Sequence, residues 1–366
     1  MPSKDSWGGP AACEPPFVEA LRGLGVDVVT DDYVFGDKGR PTPLLSRISR
    51  VLKTAFRFRR LLKERNNDLL FLNSAFDKKS LLRDSVSLFI MQPRSAKVFL
   101  KVHGSLAHEF IGRGGLWRVL VNYLRQRIDA FGVHNREELE AFLELGFSPS
   151  QFFRVRNTIT IGSEIAGSVV REHKEANSPF ELLFASRFVS TKGLLETITA
   201  CHLLRQKGLN VMLTCVGDGE MKAEAESLVN ELGLYKTVRF TGYIPEEEVT
   251  KLFLRSDIFV FPTRHPEGFP VILFKAVAIG MPIVTTTVRA AGEYLTEPDN
   301  CFFCTTEPRD VAEKIALLIN DKKRREAMST ANVAYGSTLL PDVIAADYLS
   351  MFRSMMDDIP SEHRFD

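Results

Sequence analysis

Short runs of Val, Ile, Leu and Phe recur along the chain, and between them lie longer stretches in which apolar residues return every three or four positions. The short runs read as strands and the longer stretches as helices. In the first half, strands are predicted at residues 26–29, 68–72, 97–102, 128–133 and 153–155, with helices near 15–24, 43–65, 80–90, 115–127 and 135–145. In the second half, strands are predicted at 181–185, 211–216, 238–241, 258–261 and 283–286. A helix over 271–279 is ended by Gly280 and Pro282, and a last helical stretch covers 342–356. Several strands are apolar on both faces, which marks a buried parallel sheet, and the strand–helix alternation calls for right-handed crossovers. A chain of 366 residues exceeds what one core usually supports. Two α/β domains are therefore expected, over 1–170 and 171–340, with a polar linker at 171–179 and a terminal segment at 341–366.

Charge changes this picture in one place. The net charge is +1, but residues 1–165 carry 25 Lys and Arg against 18 Asp and Glu, a balance of +7 that leaves −6 for the remainder. Eight of those basic residues fall in 47–65 (Arg47, Arg50, Lys53, Arg57, Arg59, Arg60, Lys63 and Arg65) against the single acid Glu64. Ile48, Val51, Leu52, Ala55, Phe58 and Leu62 recur there at helical spacing, giving an amphipathic basic helix. It reads either as a surface helix with a solvated basic face or as a dock for an anionic membrane surface. Nucleic acid is a poorer partner, because no basic motif is interleaved with aromatics and the pI is about 7.7. No apolar run approaches a membrane span and the first residues lack the apolar core of a signal peptide, so a cytoplasmic protein, peripheral at most, is expected. Five scattered cysteines (13, 201, 215, 301 and 304) suit a reducing compartment, and Cys301-Phe-Phe-Cys304, with no second pair and no nearby His, reads as part of a short strand rather than a metal or redox site.

The densest chemistry lies in residues 261–293, FPTRHPEGFPVILFKAVAIGMPIVTTTVRAAGE. A buried strand ends at Phe261, the turn Glu267-Gly-Phe-Pro270 follows, and a helix starts at Val271. A helix N-terminus at the carboxyl edge of a parallel sheet offers backbone N–H groups and a positive dipole end, which suits a diphosphate. An ionised Glu267 beside it suits sugar hydroxyls.

This stretch resembles the donor-binding signature of the family-four retaining glycosyltransferases of the GT-B fold, in which two Glu are separated by seven residues. Arg187 and Lys192 in Phe184-Ala-Ser-Arg-Phe-Val-Ser-Thr-Lys-Gly193 resemble the family's Arg and Lys, which neutralise the leaving diphosphate. Gly217 in Cys215-Val-Gly-Asp-Gly-Glu220 resembles its GxGxE turn, and Tyr243 and Ile244 resemble the segment that meets the nucleobase. Gly8-Gly9 resembles the loop that faces the diphosphate and acceptor, and His103, at a strand end beside Gly104, falls at the histidine that meets the donor sugar. His134 with Asn135 reads instead as a helix-capping turn. The resemblance implies two Rossmann-like doubly wound domains facing a cleft, with the terminal helix crossing back to the first. It departs from the family in three places. The second Glu, which holds the ribose, is Lys275, and an ammonium donates where a carboxylate accepts. The Gly-Gly before the closing Glu is altered to Arg289-Ala-Ala-Gly-Glu293, and the first strand of the N-terminal domain is missing or degenerate, since only seven mostly polar residues precede Gly8.

The activity that the resemblance implies is metal-independent transfer of a sugar, with retention, from a nucleotide-diphosphate donor to a glycan or lipid-linked acceptor hydroxyl. On that resemblance, Glu267, His103, Arg187 and Lys192 are expected to carry the chemistry, and Gly9, Gly217, Tyr243, Ile244, Gly268, Phe269, Pro270, Val271 and Lys275 to bind the donor. No metal-binding carboxylate cluster is evident and no cofactor is implied beyond the sugar nucleotide. The alternative is a noncatalytic sugar-nucleotide or glycan-binding subunit of the same fold, which Lys275, Arg289 and the missing strand favour.

Overall fold

The structure is a computed structural model that describes residues 9–31, 43–64, 68–93, 96–161 and 178–365. Two units divide the chain: Met1–Thr158 with Glu267–Phe269 and Pro341–Asp366, and Ile159–Pro266 with Pro270–Leu340.

In the first unit the elements run α1 (Gly9–Gly23), α2 (Leu44–Glu64), β1 (Leu69–Ser74), α3 (Lys78–Met91), β2 (Lys97–Val102), α4 (Gly115–Arg127), β3 (Ala130–Val133), α5 (Arg136–Glu144) and β4 (Phe152–Arg154). The strands form a parallel sheet in the order β1-β2-β3-β4, with Leu72 opposite Leu100 and Leu100 opposite Phe131. Local chemistry sets the helix ends. Asp77 and Ser80 form a capping box at α3, and Asn135 caps α5 by accepting the Glu138 N–H, so the turn at His134-Asn135 is a capping turn. Phe76, Phe131, Phe142, Phe147 and Phe152 interlock beneath the sheet with ring centroids 4.6–6.3 Å apart.

One expected strand is not there. Residues 26–29 join no sheet among the described residues; the Val26 N–H bonds the Leu21 carbonyl and the Val28 carbonyl accepts from Arg22, so the segment closes the end of α1 instead. Its β-branched composition fits a strand, but pairing needs a neighbouring strand edge, and none of the described strands offers one to this segment. The degenerate first strand at residues 1–7, Gly8 and most of the polar linker lie outside the described residues.

The second unit contains β5 (Phe180–Ala185), α6 (Leu194–Gln206), β6 (Val211–Val216), α7 (Lys222–Glu231), β7 (Val238–Gly242), α8 (Glu246–Arg255), β8 (Ile258–Phe261), α9 (Val271–Ala278), β9 (Ile283–Thr285), α10 (Ala290–Tyr294), β10 (Phe302–Phe303), α11 (Pro308–Asn320) and α12 (Lys322–Ser337). Its six parallel strands run β10-β9-β8-β5-β6-β7. Strand order therefore reverses at β5, and the crevice beside β5 at the strands' carboxyl ends is the topological switch point of an open α/β sheet. The core beneath joins Leu182 and Phe184 of β5 to Ile198 and Leu204 of α6, Leu213 of β6, and Val311 and Ile315 of α11. Cys301 and Cys304 flank the short β10 as buried free thiols, and burial pushes Cys304 up to about 12, where it is neither a nucleophile nor a ready metal ligand.

Helix α13 (Pro341–Asp357) belongs to the first unit. Tyr348 packs against Phe17 of α1 with the rings tilted by 59° and 4.7 Å between centroids, and Asp347 pairs with Arg156 at 2.8 Å.

Candidate functional site

At the switch point of the second unit, three neighbouring strands end in loops that interlock. After β5, the Thr191 carbonyl accepts the Arg264 N–H from the loop after β8 at 2.9 Å, and Thr191 Oγ1 meets His265 Nδ1 at 2.9 Å. The loop after β9 joins through Thr286, whose hydroxyl donates to the Thr263 carbonyl at 2.5 Å. On the other flank, Gly217 follows β6 at φ +136°, with the Ser186 carbonyl 1.8 Å from where a Cβ would stand. Only glycine allows the backbone to approach so closely.

This interlocking gathers positive charge. Arg187 is exposed beyond β5, while Lys192, five residues on, is 2% exposed with its ammonium 5.7 Å from the Phe261 ring. Burial, and then the Arg187 guanidinium, bring Lys192 down to about 7 from its ordinary value near 10.5. His265 is pushed to about 4 by burial and by Lys192, Arg187 and Arg289, so it is neutral at pH 7. Arg289 holds a positive φ of 45°, which a bulky side chain rarely adopts, and donates to the Pro266 carbonyl at 2.8 Å. An anion is the ligand that such a group of cations at backbone-lined loops can take.

Lys275 sits on α9 with its side chain 4% exposed and is ion-paired with Glu246, the first residue of α8, whose side chain is 66% exposed. The departure from the family pattern is thus matched by a carboxylate brought from the preceding helix. Tyr243, three residues before that helix begins, is 58% exposed, and Ile244 is half-buried. Pro270 precedes α9 and Val271 opens it, with no side chain capping the helix. Glu267, Gly268 and Phe269 are grouped with the first unit, apart from the residues on either side of them.

In the first unit, Gly9 opens α1, and one turn later Glu14 is buried beside the carboxyl ends of β1 and β2. Its Oε1 accepts from Lys101 Nζ at 2.7 Å and lies 3.3 Å from His103 Nε2; its Oε2 accepts from Asn73 Nδ2 at 3.2 Å. Asn73 Oδ1 in turn stands 2.7 Å from His103 Nε2. Burial alone would raise the Glu14 carboxyl, but the Lys101 charge and the hydrogen bonds from His103 and Lys101 outweigh it and hold the group well below the usual carboxylate range. Burial lowers His103, leaving it neutral at pH 7. Cys13, Glu14 and His103 offer ligand atoms within 4.8 Å of one another. The set does not fit a metal, because Lys101, Asn73 and His103 already take the carboxylate oxygens and burial drives the Cys13 thiol upward, away from thiolate.

The pairing partners Asn73, Lys101, His265 and Glu246 went unread in the sequence. Lys101 carried a usable signal: a lysine within the otherwise apolar strand Lys97-Val-Phe-Leu-Lys-Val102 needs a buried carboxylate. Nothing in sequence spacing links it to residue 14.

Comparison with known proteins places this geometry in a class. Residues 169–333 match the model of the family described as glycosyl transferases group 1. The architecture is similar to the crystal structure of Anabaena HepE in complex with UDP, with a TM-score of 0.65 and 20% identity over 84% of this chain and 82% of that one. The fold is accordingly that of the GT-B glycosyltransferases, α/β with parallel sheets in two Rossmann-like halves. In sequence, the chain is 31% identical over 115 residues to the amylovoran biosynthesis glycosyltransferase AmsK of Erwinia amylovora, covering 30% of this chain and 28% of that protein. It is 26% identical over 365 residues to the N,N'-diacetylbacillosaminyl-diphospho-undecaprenol alpha-1,3-N-acetylgalactosaminyltransferase of Campylobacter jejuni, covering 94% of this chain and 90% of that protein. Several other relatives are matched over much less, 32–41% of their own length.

Proposed function

We propose that this chain is a glycosyltransferase of polysaccharide or lipid-linked glycan assembly, moving a sugar from a nucleotide-diphosphate donor to an acceptor hydroxyl with retention and without a metal. The observation that carries the reading is that exposed Arg187 and buried Lys192 stand five residues apart at the switch point, which supports assigning both to a leaving diphosphate. Gly217 brings its backbone close to Ser186 beside Arg187, and the uncapped N-terminus of α9 at Val271 is the assigned backbone contact for the phosphates. In this mechanism the bond from the anomeric carbon to the diphosphate oxygen breaks as the bond to the acceptor oxygen forms on the same face. The acceptor proton passes to the departing phosphate, and Arg187 and Lys192 balance the charge that develops there. Glu267 accepts hydrogen bonds from sugar hydroxyls, and His103 meets the donor sugar. Gly9, Gly268 and Phe269 line the approach, while Tyr243 and Ile244 meet the base.

Relatives named for amylovoran biosynthesis and for a diphospho-undecaprenol substrate support a glycan or lipid-linked acceptor. A membrane-borne acceptor also fits α2, whose Leu44 (71% exposed), Leu45 and Ile48 stand beside Arg47 and Arg50. No helix among the described residues is long and apolar enough to cross a membrane, so contact would be peripheral. Sedimentation with anionic but not zwitterionic vesicles, lost on reversing the charges of Arg50, Lys53 and Arg57, is the expected result; equal recovery with both vesicle types removes this element.

Calorimetric titration with UDP, GDP, ADP and TDP tests the core of the reading. Micromolar binding of one of them supports it and names the base. Silence from all four, with binding gained in Lys275→Glu, transfers the assignment to a noncatalytic binding subunit, the reading favoured by Lys275 standing where the family has a ribose-binding carboxylate.

A further inference from the structure

The network around Glu14 has a directional logic that assigns a proton. An ionised carboxylate only accepts hydrogen bonds, so the Asn73 group facing Glu14 Oε2 is the amide NH2, in agreement with the 3.2 Å contact from Nδ2. The Asn73 carbonyl oxygen is thereby turned toward His103, 2.7 Å from Nε2. Two acceptors, Asn73 Oδ1 and Glu14 Oε1, face that ring nitrogen, and only an N–H can satisfy them. Lys101, itself buried, holds Glu14 in the ionised form that starts the sequence. Nδ1 must then carry the lone pair, and it makes no hydrogen bond among the described residues.

We propose that Glu14 and Asn73 are positioning residues that lock His103 in its Nε2–H tautomer, presenting Nδ1 as a hydrogen-bond acceptor to a hydroxyl of the sugar substrate. The role of Nδ1 rests on the glycosyl-transfer reading; the tautomer does not. The buried Glu14–Lys101 pair thereby anchors the relay.

The test is long-range nitrogen–proton NMR of the full chain labelled in its histidines, with the His103 ring assigned by comparison with His103→Gln. The wild type is expected to show the Nε2–H pattern near pH 7. In Glu14→Gln the lysine ammonium draws the glutamine carbonyl, so its NH2 faces Asn73; the Asn73 amide turns over, and His103 is expected to switch to Nδ1–H. An Nδ1–H ring in the wild type, or an unchanged tautomer in a folded Glu14→Gln, overturns the relay. Should Glu14→Gln fail to fold, the wild-type spectrum decides alone. A ring with the expected tautomer in a protein that binds no nucleoside diphosphate sinks the transferase reading and the role of Nδ1 while keeping the relay. With transfer activity in hand, folded Glu14→Gln is expected to lose at least about tenfold in kcat at unchanged nucleotide affinity; a loss confined to KM overturns the positioning role.

Discussion

Nucleoside-diphosphate binding is expected to weaken as pH rises above 7, and the cause is Lys192. Burial and Arg187 bring its ammonium from about 10.5 to about 7. At about 1.4 kcal/mol per tenfold, holding that charge in the empty site costs roughly 5 kcal/mol. A diphosphate that pairs with the ammonium recovers part of this, so ligand and proton bind together. At pH 8 only about one site in ten is already protonated, and binding should take up about 0.9 proton; at pH 6 the uptake should fall to about 0.1. The dissociation constant should therefore rise about tenfold per pH unit above 7 until the bound lysine itself titrates. Measurements between pH 7.5 and 9 avoid the second ionisation of a terminal phosphate, near 6. Calorimetry in two buffers of different ionisation enthalpy reads the proton directly. Arg187→Gln removes a cation that disfavours the ammonium, so the pH dependence should move to higher pH while overall affinity drops. Flat affinity with no proton uptake across that range would refute the reasoning, because Lys192 would then carry an ordinary charge or take no part in holding the phosphates.

Glu267→Ala should abolish transfer while circular dichroism and nucleoside-diphosphate affinity stay close to wild type; retained turnover would remove its assigned role. Lys275→Glu sets a carboxylate against Glu246 in a largely buried position and should cost about 2–3 kcal/mol in urea unfolding, less than a fully buried pair because Glu246 is exposed. The reversed pair, with Glu246→Lys added, should regain more than half of that, and equal losses in both variants would show that the two side chains do not interact. Glu14→Ala strands the Lys101 ammonium in the core and should destabilise the first unit by about 3–5 kcal/mol. Because the folded-state pKa of Glu14 lies below its unfolded value of about 4.3, its contribution is present above that pH and is lost as pH falls through the folded value. The gap in stability between wild type and Glu14→Ala should consequently narrow below about pH 4, and a constant gap down to pH 2 would contradict the ionised pair.

Most of the fold was legible because its signals are local. Val211–Val216 and Ile258–Phe261 are apolar on both faces and sit between turn residues, and the structure has strands at those positions. Arg187 and Lys192 could be located because a strand end and the cations after it are adjacent in sequence. Residues 26–29 failed as a strand for the complementary reason: β-branched composition is local, but a strand exists only if another offers its edge. The same limit applies to charge. Sequence revealed that Lys275 stands where the resemblance places a Glu, yet only the folded chain brings Glu246 onto it from 29 positions away. Likewise Glu14, Asn73 and Lys101 lie on three elements and His103 just past the last of them, with Lys101 87 positions from Glu14, and their hydrogen bonds are set by the packing of α1 against the ends of β1 and β2. The sequence by itself determined the elements, their order and the chemistry carried within single loops. The tertiary structure decided which buried charges are paired and which ring nitrogen holds the proton, because those depend on contacts that no periodicity encodes.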